Sequence, residues 1–169
     1  DPTARHFLSA AGTRHKNQTT MELIIWRHAE AEEGSPDMTR KLTTRGRRQA
    51  TRMAKWLNLR LPEDALILVS PSRRTLETAE ALARPFQVHP DLAPDATAEA
   101  VLHTIGWPDA PHPVLIVGHQ PYAGQIIMKL LSGKNGEFSL KKGAVAWMQQ
   151  RPREGAAQTL LRAVLSPDL

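Results

Sequence analysis

From Met21 onward, short apolar runs alternate along the chain with stretches whose apolar residues recur every three or four positions. The first pattern is that of buried strands and the second that of amphipathic helices. Glu22-Leu23-Ile24-Ile25-Trp26 reads as a strand that ends at Arg27-His28. Thr43 or Thr44 is placed to cap a helix whose inward positions Ala50, Met53, Ala54 and Leu57 keep the i, i+3, i+4, i+7 spacing. Ala65-Leu66-Ile67-Leu68-Val69 is a continuous apolar strand closed by Ser70-Pro71. A second helix is expected from about Ser72 to Ala83, halted by Pro85, and a third from Asp95 to Ile105, ended near Gly106 and Pro108. Val114-Leu115-Ile116-Val117 is a further buried strand, and Gly118-His119-Gln120-Pro121 leads into a helix reaching about Leu131. Ala144 to Met148 and Thr159 to Leu165 read as two closing strands, joined by a polar turn around Arg153-Glu154-Gly155.

Strands that are apolar on both faces and alternate with helices imply an α/β fold, with a mainly parallel central sheet flanked by helices. In such sheets ligands bind beyond the carboxyl ends of the strands. Three apolar strands end there on polar groups: Arg27-His28, Ser70 followed by Arg73-Arg74, and Gly118-His119. The first twenty residues show neither period. They are expected to be a disordered leader or a vector-derived segment, with residues 21–169 forming one domain.

Composition narrows the chemistry. The 169 residues include no cysteine, which excludes disulfides, thiolate metal sites and a cysteine nucleophile, and fits a reducing, cytoplasmic setting. No run approaches the roughly 20 apolar residues that span a bilayer, so no membrane association is expected. The net charge of +5 is modest and scattered; a solvated surface accounts for it better than nucleic-acid binding, and arginines lining an anion pocket would also raise it. Trp26, Trp56, Trp107 and Trp147 are expected in core or rim packing, and Lys134, Lys141 and Lys142 on a solvated face.

Of seven histidines, His6 and His15 lie in the first twenty residues, while His89, His103 and His112 sit beside prolines or on polar helix faces. His28 and His119 differ, because each directly follows a hydrophobic strand. Arginine suits phosphate, since its planar fork gives bidentate, charge-assisted hydrogen bonds and never loses its charge. A neutral histidine can attack phosphorus when an acceptor holds its other ring nitrogen. Arg27, His28, Arg74 and His119 together would neutralise a phosphoryl group and offer it an imidazole nitrogen. Phosphoryl transfer asks for little beyond positioning and charge stabilisation. Neither a metal nor another cofactor is expected, as the sequence lacks a carboxylate cluster suited to magnesium.

These residues also carry a family resemblance. Arg27-His28-Ala29-Glu30-Ala31 resembles the RHG signature of the histidine phosphatase superfamily, with alanine in place of glycine. Lys41-Leu42-Thr43-Thr44-Arg45-Gly46 followed by Gln49-Ala50 is similar to its LTxxGxxQA segment. Ser70-Pro71-Ser72-Arg73-Arg74-Thr75-Leu76-Glu77-Thr78-Ala79 resembles its SPxxRxxxTA segment, and Gly118-His119-Gln120-Pro121 its second histidine motif. The order and spacing match from Met21 to about Met148. The short length, the compact Arg40-Lys41-Leu42-Thr43 segment and the ending most resemble the SixA-type phosphohistidine phosphatases. The resemblance implies a phosphoglycerate mutase-like three-layer sandwich, with His28 as phosphate acceptor and Arg27, Arg74 and His119 completing the pocket. It also implies that Arg40 is a further pocket arginine, and that Arg74 rather than Arg73 is the pocket residue, leaving Arg73 to face solvent.

One departure bears on substrate. Larger members of the family place an acidic residue after the third strand to protonate the leaving oxygen, and here that position falls on Pro94. Asp95 could substitute, although a helix N-cap is its expected job. An alkoxide needs such an acid, which contributes about 10²–10⁴ in rate. Phosphohistidine, protonated on its leaving ring, releases neutral imidazole whose conjugate acid has a pKa of about 6.5. The expected activity is therefore removal of phosphate from a protein phosphohistidine, for example on a histidine-containing phosphotransfer domain, through a phospho-His28 intermediate. The short segments between Ala31 and Arg40 and before Val114 leave no room for a large lid, which also suits a protein substrate. The alternatives are a small-molecule phosphomonoesterase using Asp95 or water as acid, and a phospho-binding module without turnover.

Overall fold

The computed structural model describes residues 20–153 and 156–169. The expected leader, apart from Thr20, and the tip of the turn at 154–155 lie outside the described residues. The elements in chain order are β1 (Met21–Arg27), α1 (Thr44–Asn58), β2 (Leu66–Val69), α2 (Arg73–Glu80), β3 (Gln87–Val88), α3 (Ala98–Thr104), β4 (Val114–Gly118), α4 (Tyr122–Ser132), β5 (Val145–Arg153) and β6 (Ala156–Leu165). Two 3-10 turns, Asp37–Thr39 and Pro90–Leu92, interrupt the connections.

One six-stranded sheet has the order β3-β2-β4-β1-β5-β6. β3, β2, β4 and β1 run parallel, with Leu23 opposite Val114 through Arg27 opposite Gly118 between β1 and β4. The antiparallel pair β5 and β6 extends the sheet beyond β1. Side chains alternate across each strand, so the sheet has two apolar faces. Leu23, Ile25, Leu68, Val114 and Ile116 pack with Val101 of α3 and Ala123, Ile126 and Ile127 of α4. Ile24, Trp26, Ile67, Val69, Leu115 and Val117 pack on the other face with Ala50, Met53, Ala54 and Leu57 of α1 and Ala79 of α2. This is the expected sandwich of helices, sheet and helices. Each fully buried large side chain, such as Met53 or Leu57, contributes about 1.5–3 kcal/mol by leaving water.

Several boundaries differ from expectation. α2 ends at Glu80 instead of Ala83, because its last turn tightens into bonds from the Ala81, Leu82 and Ala83 amides to the carbonyls three residues back, and Ala83 turns left-handed at φ 50°. α3 begins at Ala98, since Thr97 caps it by accepting from the Ala100 amide at 3.1 Å. Asp95 is therefore not the cap. β3 has no apolar run to announce it; it is a two-residue exposed edge strand. β5 and β6 run longer than their apolar cores, as a two-stranded ribbon whose outer residues include Gln149, Gln150 and Arg151.

Candidate active site

The carboxyl ends of β1, β2 and β4 are tied side by side. The His28 amide donates to the Gly118 carbonyl at 3.0 Å, and the Ser70 amide to Val117 at 3.1 Å. The three strand ends thus set His28, Ser70 and His119 next to one another, all buried. The two imidazole rings lie 5.3 Å apart, centroid to centroid. Arg74, in the first turn of α2 and 4% exposed, brings Nη2 to 3.4 Å from His119 Nδ1. Arg27 anchors through Nη1 to the Leu140 carbonyl at 2.7 Å.

Each ring has one nitrogen committed. His28 Nδ1 lies 2.7 Å from the Ala29 carbonyl oxygen; a carbonyl only accepts, so Nδ1 carries the proton and Nε2 keeps its lone pair. His119 Nε2 lies 2.7 Å from Ser70 Oγ. Arg74 Nη2 can only donate, so His119 Nδ1 accepts from it and the ring proton sits on Nε2, donated to Ser70 Oγ. Burial pushes His28 down to about 4, opposed by the Ala29 bond and reinforced by the positive charges of Arg74, Arg27 and Arg40. Burial, then the proximity of His28 and Arg74, pushes His119 down to about 3, with Asp37 pulling weakly the other way. Both rings are therefore neutral at pH 7.

The sequence segments around these residues hold the loop after β1. Thr43 caps α1 by accepting from the Gly46 amide at 2.9 Å, and its own amide donates to the Glu30 carbonyl at 3.0 Å. Gly46 passes so close to that carbonyl that a Cβ would overlap its oxygen. Gln49 Oε1 accepts from the Glu30 amide at 3.0 Å, and Thr78 Oγ1 from the Ala29 amide at 3.1 Å. Thr78 in turn donates to the Arg74 carbonyl at 2.7 Å, linking the loop to α2. Ala29 is fully buried and does not share the left-handed backbone of Ala83, so alanine suits the place where the motif has glycine.

The expected site residues Arg27, His28, Arg74 and His119 converge. Arg40 is near enough for its charge to act on His28, but its guanidinium is engaged elsewhere: Nε donates to the Glu32 carbonyl at 2.7 Å and Nη1 to Asp37 Oδ1 at 3.0 Å. Arg73 faces solvent, as expected, beside Glu77 at 3.3 Å. Asp95 is exposed and takes part in none of these contacts. Sequence reasoning missed Asp37, whose Oδ2 receives Arg74 Nη2 at 3.1 Å and whose carbonyl receives Arg74 Nη1 at 2.9 Å. Its carboxyl is held below the usual range, chiefly by Arg40 and then by Arg74, so it is an anion and not a proton donor at neutral pH. Of the four tryptophans, Trp26 and Trp147 are buried, and Trp56 and Trp107 pack at the edges of the two cores.

Two guanidinium donors are buried without an acceptor among the described residues: Arg27 Nε and Arg74 Nε. An orphaned buried charge-bearing donor is costly, and a phosphoryl oxygen would satisfy it. Among the described residues no group of three or more histidines, aspartates or glutamates is arranged to hold a metal ion. No helix among them is long and apolar enough to cross a membrane.

Comparison with known proteins points to one family. The model of the histidine phosphatase superfamily (branch 1) matches residues 23–97. A phosphohistidine phosphatase SixA homolog of Haemophilus influenzae is 30% identical over 142 residues, covering 75% of this chain and 86% of the relative. Phosphohistidine phosphatase SixA of Escherichia coli K12 is 30% identical over 128 residues, covering 68% of this chain and 76% of the relative. The solved structure of the protein histidine phosphatase SixA complexed with tungstate superposes with a TM-score of 0.71 at 26% identity, over 88% of this chain and 98% of that one.

Proposed function

The chain belongs to the histidine phosphatase superfamily as a SixA-type member, and from that premise we propose that it removes phosphate from phosphohistidine on a partner protein through a phosphorylated His28. The observation that carries this reading is the pinned tautomer of His28. Its Nδ1 is bound to the Ala29 carbonyl at 2.7 Å, and its Nε2 lone pair stands free beside two guanidinium groups with unsatisfied Nε donors.

In the first step His28 Nε2 forms a bond to phosphorus and the substrate's N–P bond breaks. The bonding pair stays on the leaving imidazole, whose other ring nitrogen already carries the proton. Arg27 Nε and Arg74 Nε are the unpaired donors available to the equatorial oxygens, where the transition-state charge sits. In the second step water attacks phosphorus, the Nε2–P bond breaks, and the water's proton leaves with phosphate. Three arginines supply the positive charge in this reading, so no step is assigned to a metal.

Three observations support phosphohistidine over an alkyl ester. Pro94 occupies the family's acid position, Asp95 is exposed, and Asp37 is held in its anionic form. An enzyme without a proton donor suits a leaving group that needs none. The tungstate complex of the related SixA supports oxyanion binding at this fold. The phosphohistidine partner is proposed to be a phosphotransfer domain, and the absence of cysteine is consistent with a cytoplasmic site of action.

The test is phosphate release from a phosphohistidine protein and from a simple alkyl phosphate, side by side. Preference for phosphohistidine, lost in His28→Ala, is expected. Comparable alkyl phosphate turnover overturns the substrate assignment, activity surviving in His28→Ala overturns the mechanism, and binding without release makes the chain a phospho-binding module.

A further inference from the structure

Residues 32–41 form a small lobe whose base is closed by the Ala31–Leu42 bridge and by the Glu32 amide donating to Lys41 at 2.8 Å. At its tip the 3-10 turn Asp37–Thr39 leans over α2. The Asp37 carboxylate then divides itself between two guanidinium groups, Oδ1 on Arg40 Nη1 at 3.0 Å and Oδ2 on Arg74 Nη2 at 3.1 Å. Its carbonyl takes Arg74 Nη1 at 2.9 Å. Both Nη groups of the arginine that faces the two histidines are thus engaged by Asp37, with Nη2 also reaching His119 Nδ1, and only Nε is left unpaired.

A structural anchor would be expected to be buried; Asp37 is not. Its side chain is 55% exposed, against 5% for the Arg74 it holds. Gly34 of the same lobe also faces open space, with nothing within 4 Å of where a Cβ would stand. An exposed monoanion is positioned to yield to a stronger ligand. A phosphoryl group brings up to two charges and three oxygens to the same donors, and so competes well for them.

Resting on the reading of this site as a phosphoryl pocket, we propose that Asp37 is an internal competitor for the phosphoryl group, occupying Arg74 and Arg40 in the free enzyme and yielding to substrate. It sets the affinity for free phosphate, the product. A protein substrate has further contacts with which to hold its phosphoryl group in place, whereas inorganic phosphate has none. Asp37 therefore keeps the product from lingering on the arginines and favours its release.

The experiment is calorimetric titration of the full chain with inorganic phosphate, for the wild type, Asp37→Asn and Arg74→Ala. Asparagine keeps the shape and one acceptor oxygen and removes the charge. Removing a unit charge that competes for the guanidinium groups at contact distance strengthens phosphate binding by on the order of tenfold, so Asp37→Asn is expected to bind phosphate about tenfold more tightly. Product inhibition of phosphohistidine turnover should strengthen by the same factor. Unchanged or weaker phosphate binding in Asp37→Asn overturns the proposal, and weaker binding makes Asp37 an organiser of Arg74 instead. Wild-type phosphate binding that survives in Arg74→Ala shows that phosphate sits elsewhere, and then the pocket reading itself fails.

Discussion

Acidification from pH 7 to pH 5 should destabilise this protein through two residues, His28 and His119. Both are neutral in the folded state, pushed down to about 4 and about 3. In the unfolded chain each returns to about 6.5. Below that value the unfolded chain binds protons that the folded protein does not, so the stability these rings allow is complete above pH 6.5. It is lost as pH falls towards the folded values. At pH 5 an unfolded histidine is about 97% protonated, while either folded ring remains largely neutral. The free-energy loss between pH 7 and pH 5 is then about 2 kcal/mol per ring and about 4 kcal/mol for the pair. The figure hardly depends on the folded values, because both lie about a unit or more below pH 5. With both rings neutral there, they add with little coupling. Urea unfolding at the two pH values measures the loss, with His28→Gln/His119→Gln as reference, since the carboxylates are common to both proteins. The wild type should lose about 4 kcal/mol more than the double variant. Equal losses would refute the claim that these rings are held neutral by burial.

Two further substitutions probe the supports of the site. Gly46→Ala gains about 1 kcal/mol of helix propensity, but its methyl overlaps the Glu30 carbonyl oxygen, a backbone atom that cannot swing aside. A net loss of about 2 kcal/mol by urea unfolding is expected, with lower kcat because Glu30 adjoins the Ala29 carbonyl that pins His28; a stabilised variant refutes this. Ser70→Ala removes the buried partner of His119 Nε2 and should lower kcat about tenfold. Ring ¹⁵N shifts of His119 should report a single tautomer in the wild type and a mixture in the variant, and an unchanged tautomer would show that Ser70 does not set it.

Local sequence determined a good deal of this protein. Strand β1, strand β4 and helix α1 are legible because their burial is repetitive: continuous apolar runs for strands covered on both faces, and a 3.6-residue period for a helix covered on one. The placement of His28 and His119 at strand ends follows from the same runs, since a parallel sheet carries its strand ends to one edge. Arg74 was separable from Arg73 only through the family motif. The structure supplies the reason: in the first turn of α2, successive residues point about 100° apart, so one arginine turns to His119 and the other to Glu77 and solvent.

Tertiary structure decided the rest. Asp95 and Thr97 both have the chemistry of a cap, and only the path of the chain after the Pro90–Leu92 turn selects Thr97. β3 has no apolar signature because it is a two-residue edge lent order by the backbone of β2. The Ser70–His119 bond joins residues 49 positions apart, and the Asp37–Arg74 pair spans 37. No periodicity records such pairings, because they depend on where strand ends and loops come to rest once the sheet has formed. Burial does the remaining work: the same imidazoles that would be half protonated near pH 6.5 in an unfolded chain are neutral here. It is the packed sheet, and not the residue type, that removes their water.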